Sequence, residues 1–230
     1  MPITIHTSPA VVSGEQPTIT TASFTSVSNG MLIAMVMATS DSAPTVSGGG
    51  LTWTRQVQNV SSQEYAEIWT APVAAGASMT VSATIGGSLN ALGLKVDVIS
   101  GQHPSSPIGT NGTGATTTNN ATVTGYVSTA NASRGWCAAR EGEAAGSPTS
   151  TDTGFGWTYT VSGLVPYAGI ALRKAADTTN SGTTVTFNMD AAGESAANWR
   201  WAALEVIPAP PPNPRAPVMP PTALHRAASW

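Results

Sequence analysis

Charge is the scarcest commodity in this chain. Of 230 residues only 9% are Asp, Glu, Lys or Arg, against ~25% in an ordinary globular domain, and lysine occurs only as Lys95 and Lys174. The net charge is −3 with no basic run, which excludes the clustered Lys and Arg that nucleic-acid binding needs. Cys137 is the sole cysteine, so neither an intrachain disulfide nor a cysteine-based metal site is available. The longest unbroken apolar run, Met31 to Ala38, is far short of the ~20 residues that span a bilayer, so no membrane insertion is expected. The segment from Met1 to Pro9 has no positive stretch, apolar core or cleavage site of a secretory signal; synthesis in a cytoplasm is therefore predicted. Catalytic constellations are equally sparse. The three histidines, His6, His103 and His225, fall outside the predicted core strands, and no nucleophile elbow, phosphate loop, dinucleotide fingerprint or zincin motif occurs. No cofactor is implied. Glu64 and Glu67 fall on opposite faces of one strand, and Glu141 with Glu143 opens a loop; all read as solvated charge rather than a glycosidase pair. These absences predict a protein that is not an enzyme.

What is present is β-structure. Hydrophobic residues make up 41% of the chain, enough to offset chain entropy. Ser78 to Ile85 alternates hydroxyl and apolar residues, Thr183 to Met189 repeats the pattern with Val185, Phe187 and Met189, and Leu92, Leu94, Val96 and Val98 alternate with Gly93, Lys95 and Asp97, the period-2 pattern of half-buried strands. Further strands are expected near 18–24, 31–38, 51–57, 65–70, 121–127, 134–140, 165–173 and 199–207. Clusters such as Ser47 to Gly50, Gly86-Gly87 and Asn111 to Gly114 read as the turns between them. No long helical period stands out, so an all-β sandwich is predicted.

An internal repeat refines this. Pro44-Thr45, Gly50 and Trp53-Thr54 recur as Pro148-Thr149, Gly154 and Trp157-Thr158. Tyr65 to Ile68 recurs as Tyr167 to Ile170, Thr80 to Ser82 as Thr184 to Thr186, and Asp97 to Ile99 as Glu205 to Ile207. Two halves follow, about 10–101 and 115–207. Each could close as its own small sandwich, or the two could interleave into one jelly-roll-like sandwich. The second is expected, because ~90 residues bury a small fraction of their surface alone.

After Ile207 the composition changes. Eight of the chain's 17 prolines lie between Pro208 and Pro221, so residues 208–230 are expected to form an extended arm, on the order of 40 Å long at ~3.1 Å per residue over its Pro-rich part. Pro210, Pro211 and Pro212 with Leu224 and Trp230 are its candidate partner-binding residues, the last two as apolar anchors. Among the aromatics, Tyr65 and Trp69 share a strand face and Trp201 lies on the last strand; such rings could stack on sugars. The equivalent positions of Trp53 and Trp157 favour instead a core role for large aromatics.

The runs Gly30-Met-Leu-Ile-Ala-Met-Val-Met-Ala38, Gly49-Gly-Leu-Thr-Trp-Thr54, Ala66-Glu-Ile-Trp-Thr-Ala71, Met79-Thr-Val-Ser-Ala-Thr84 and Asn198-Trp-Arg-Trp-Ala-Ala-Leu-Glu-Val-Ile-Pro208 carry a resemblance over residues 15–208. They resemble a β-sandwich domain of virion proteins from tailed phages of actinobacteria, labelled minor tail or decoration proteins. The resemblance implies a virion structural protein contacting capsid or tail subunits and further copies of itself. The second half departs from it with Trp136-Cys-Ala-Ala-Arg140 where the first has an apolar run, which places that strand at an interface or an edge. The alternative expectation is a carbohydrate-binding or adhesion module whose partner is a host-surface glycan.

Overall fold

A computed structural model of the chain describes residues 1–87, 91–142, 147–160, 166–191 and 197–211. Strands of the first half are β1 (Thr4–Ile5), β2 (Val12–Gly14), β3 (Thr18–Thr20), β4 (Phe24–Thr25), β5 (Gly30–Thr39), β6 (Thr45–Gly48), β7 (Thr54–Ser61), β8 (Glu64–Val73), β9 (Ser78–Met79), β10 (Val81–Thr84) and β11 (Ala91–Ser100). Those of the second are β12 (Ile108–Thr116), β13 (Asn120–Val127), β14 (Arg134–Glu141), β15 (Thr153–Thr160), β16 (Pro166–Arg173), β17 (Thr184–Asp190) and β18 (Trp199–Val206). The protein is an all-β sandwich, and no helix among the described residues is long and apolar enough to cross a membrane.

Each half builds a large and a small antiparallel sheet. In the first, the large sheet runs β1-β11-β5-β8-β7, with β2 also on β11, and the small one runs β3-β10-β6 beside the β4-β9 ribbon. In the second, β12-β18-β14-β16-β15 is the large sheet and β13-β17 the small one. The central order β11-β5-β8-β7 thus recurs as β18-β14-β16-β15. Among the described strands, every pairing joins strands of the same half.

The halves therefore do not interleave, contrary to the expected merging into one sandwich. The layers run small sheet, large sheet, large sheet, small sheet, with a core in each gap. Leu32, Val36, Leu94 and Val98 lie in the first core, and Cys137, Phe187, Trp199 and Trp201 in the last. Between the two large sheets, Met31, Ile33, Met35, Met37 and Ile68 meet Trp136, Ala138, Trp157, Ala202 and Leu204. This middle core supplies the burial that a half of this size lacks by itself. It also explains why β5 reads as unbroken apolar sequence: all ten of its residues are buried, as in a strand covered on both faces.

Glycine marks a second departure. Asn111 to Gly114, expected to be a turn, lies inside the edge strand β12, where Gly112 pairs with Ala203 and Gly114 with Trp201. A Cβ on Gly112 would sit 1.9 Å from the Gly125 carbonyl, and one on Gly114 2.4 Å from the Trp201 ring. Close approach, not turning, requires glycine there. At the other end, Pro208 bridges Gln102 and the Ala209 N–H donates to the Gly101 carbonyl (2.7 Å), so the first two residues of the expected arm are fastened to the body. Pro212, Leu224 and Trp230 lie outside the described residues.

Candidate functional site

Three features concentrate chemistry: the seam between the large sheets, three buried glutamates, and the groove where the Pro-rich segment leaves the body.

The seam holds charge that the alternation of β11 assigned to solvent. Leu92, Leu94, Val96 and Val98 face the first core, which turns Lys95 and Asp97 to the other side, and there the second half covers them to 2% and 0% exposure. Burying ions requires partners, and both halves supply them. Asp97 accepts hydrogen bonds from Trp136 Nε1 (3.0 Å) and Arg173 Nη1 (3.1 Å), and pairs with Lys95 Nζ (3.1 Å). The ammonium also donates to the Pro9 carbonyl (2.8 Å) and lies 4.5 Å from the Phe155 ring centroid. Burial pushes the Lys95 ammonium below its usual pKa, with Asp97 pulling the other way. A second cluster has Arg140 donating to Glu64 Oε1 (2.6 Å) and, through Nε and Nη2, to Thr39 Oγ1 (3.0 and 2.6 Å). Asn59 Nδ2 reaches the Gly114 and Trp201 carbonyls (2.6 and 3.0 Å) from the first half. β14 sits in the middle of its sheet, so Trp136 and Arg140 line an internal interface and not an edge.

Glu67 and Glu205 are both fully buried, as is Glu141, which overturns the solvated reading of Glu67 and Glu141. Glu67 accepts from Trp69 Nε1 (2.7 Å), Gln58 Nε2 and Arg55 Nη1 (3.2 Å). Burial nevertheless dominates and holds its carboxyl above the ordinary range. Glu205 differs in sign. Burial pulls it upward too, but hydrogen bonds from Thr129, Ser133 and Thr110 outweigh that and keep it below the ordinary value. Its carboxylate receives the N–H groups of Thr110 (3.0 Å) and Thr129 (2.9 Å) and the Thr129 hydroxyl (2.6 Å), tying residues 128–133 to β12 and β18. Glu141 Oε1 accepts the Asn198 N–H (3.0 Å). These carboxylates brace the body; none lines the clefts at Pro2 and Pro208, at Lys174 and Thr186, at Thr4 and Asn29, or at Pro72 and Gln102.

The candidate sugar-stacking residues do not assemble. Tyr65 is 8% exposed in the first core and Trp201 7% exposed in the last, on opposite sides of the seam. Trp69 is half-buried against the first core, its indole held by Glu67 and faced by Arg55 (5.6 Å). Tyr65 and Trp201 thus lack the free ring faces that stacking requires. His6 and His103 are half-buried in loops, the first on Ser100 Oγ (2.8 Å), the second accepting the Ser106 N–H (3.1 Å).

The outer faces are polar and nearly uncharged. On the first half, hydroxyls pair across strands: Thr18 with Thr84 (3.0 Å), Thr20 with Ser82 (2.8 Å) and Ser23 with Ser78 (2.9 Å). On the second, Asn188 Nδ2 donates to Asn120 Oδ1 (2.8 Å). Pro210 and Pro211 are exposed and line, with Pro2, Ala130, Ile207 and Pro208, a groove of about 440 Å³. Sequence reasoning found the prolines but missed the groove, since Ala130 and Pro2 are distant in the chain. No family model, curated protein or solved structure shows significant similarity to this chain.

Proposed function

We propose that the chain is a non-enzymatic structural protein of a tailed-phage virion, a capsid decoration or minor tail protein that docks on neighbouring subunits through its Pro-rich segment. The observation that carries this reading is where the charge lies. Asp97, Lys95, Arg140, Glu67 and Glu205 are buried, the first four of them in ion pairs, while the outer sheets present hydroxyl and carboxamide groups. A surface with few ions loses little solvation when a neighbour covers it, which suits a subunit in an assembly. The resemblance in the strand motifs supplies the virion context.

The test is incorporation. Because Pro208 and Ala209 are bonded to the body, the informative truncation removes residues 212–230. The truncated chain is expected to fold with the native melting temperature and to be absent from purified particles that contain the full chain. Truncated protein entering particles at the native copy number refutes the reading.

A further inference from the structure

We propose that the groove at the root of the Pro-rich segment receives residues 222–230 of a second copy of this chain, the Trp230 indole stacking on its proline rings with Leu224 alongside. The inference rests on the reading of that segment as a docking element and names its acceptor.

The groove is apolar: among the described residues that line it, Asn131 alone has a polar side chain, and its Oδ1 already accepts the Ser181 N–H (2.7 Å). No charged and no aromatic side chain among the described residues lines it. Its volume, about 440 Å³, falls among those of pockets that enclose apolar ligands, ~300–1,000 Å³. Pro2, Pro208, Pro210 and Pro211 give it flat ring faces, and proline rings are recognised by aromatic side chains. The chain has one tryptophan to offer. Six of its seven lie in or against the three cores, Trp53 and Trp69 at the first, Trp136 and Trp157 in the middle, Trp199 and Trp201 in the last. Trp230 is the seventh.

The donor is a second copy because of reach. Residues 212–221 include five prolines, and such a stretch is semi-rigid at ~3.1 Å per residue. An extended path of that kind would put residue 222 roughly 30 Å from the groove at its own root, within reach of a neighbouring copy's groove. Repeating the contact head to tail links copies in series.

Two full-length variants, Ala130→Cys and Leu224→Cys, test this when mixed in equal amounts, oxidised and run without reductant. Cys137 does not interfere, since it is fully buried and its thiol pKa is pushed up by that burial. A mixed disulfide dimer is expected, and Trp230→Ala in the Leu224→Cys chain should cut its yield at least about tenfold, as loss of a hot-spot aromatic does. Pro211→Cys, at an exposed position, replaces Ala130→Cys as the independent acceptor. Absence of the mixed dimer with both acceptors overturns the proposal. So does a link that forms within the doubly substituted chain at a rate independent of dilution. If no mixed dimer forms while the chain lacking 212–230 still fails to enter particles, the segment docks on a different protein: the self-docking inference falls and the virion reading stands.

Discussion

The first half turns methionines, isoleucines, the acids Glu64 and Asp97 and the single base Lys95 toward the second, whereas the second turns tryptophans, alanines and the arginines Arg140, Arg173 and Arg200 toward the first. Strand order is shared, yet the two faces are opposite in shape and charge. A large indole on one side meets missing side chains on the other: a Cβ on Gly93 would lie 2.2 Å from the Trp157 ring. Carboxylates on one side meet guanidinium groups on the other. Complementarity of this kind fixes which surfaces pair and in what register. A repeated topology has thus been given two non-equivalent faces.

The largest effect is expected where this complementarity is electrostatic. Asp97→Ala leaves Lys95 without its ion partner and removes the acceptor shared by Arg173 and Trp136 across the seam. Removing one partner of a buried ion pair costs about 3–5 kcal/mol, and equilibrium urea unfolding reads it. If each half were self-sufficient and merely leaned on the other, the loss would stay under about 1 kcal/mol, as for exposed pairs, and the contrast between the faces would carry no stability.

A second comparison separates sequence equivalence from structural equivalence. Trp53 and Trp157 match in the repeat, but Trp53 is half-buried against the first core while Trp157 is 4% exposed in the middle one. Trp157→Ala should cost about 3 kcal/mol or more, the scale of emptying a core aromatic site, and Trp53→Ala clearly less. Equal losses in melting curves would mean that the two tryptophans do the same job after all.

Those tryptophans also show how far the sequence could be read. The apolar run of β5 and the alternations of β10, β11 and β17 identify strands because burial on one or both faces selects for them. Val81 and Val185, matched in the repeat, do face their own large sheets. Ile68 and Ile170 do not correspond: the first points into the middle core and the second into the last. An even spacing in sequence became a change of face, because a one-residue slip in a strand moves every side chain to the opposite side. Identity alone carries no record of that slip. Lys95 and Asp97 looked solvent-facing because nothing local announces that a second sheet will cover them. The glycines of β12 looked like punctuation because their reason, the Trp201 ring and the Gly125 backbone, lies far along the chain. The acceptor groove was illegible for the same reason.

The smallest expected effect sharpens the comparison through pH. Glu67 belongs to the first half and Glu205 to the second, both fully buried, and their carboxyls are displaced in opposite directions from the ordinary 4.5. For Glu205 the folded pKa is depressed, so its ionisation stabilises the fold above the unfolded-state value, and that contribution fades as pH falls through 4.5 toward the folded pKa. Glu67 has a raised folded pKa, so the fold favours its protonated form, and this contribution is complete below 4.5 and lost as pH rises through the folded value. Glu205→Gln should therefore destabilise by about 1–3 kcal/mol at pH 7, the range for hydrogen bonds to a charged group, with the deficit shrinking under acid conditions. Glu67→Gln keeps a neutral acceptor for Trp69 and Gln58, so its cost at pH 7 should be smaller and should grow relative to the native protein as pH falls. Urea midpoints at several pH values read both trends. Parallel pH profiles for the two variants would mean that hydrogen bonds and burial balance alike in both halves, and the distinction drawn between their buried acids would fail.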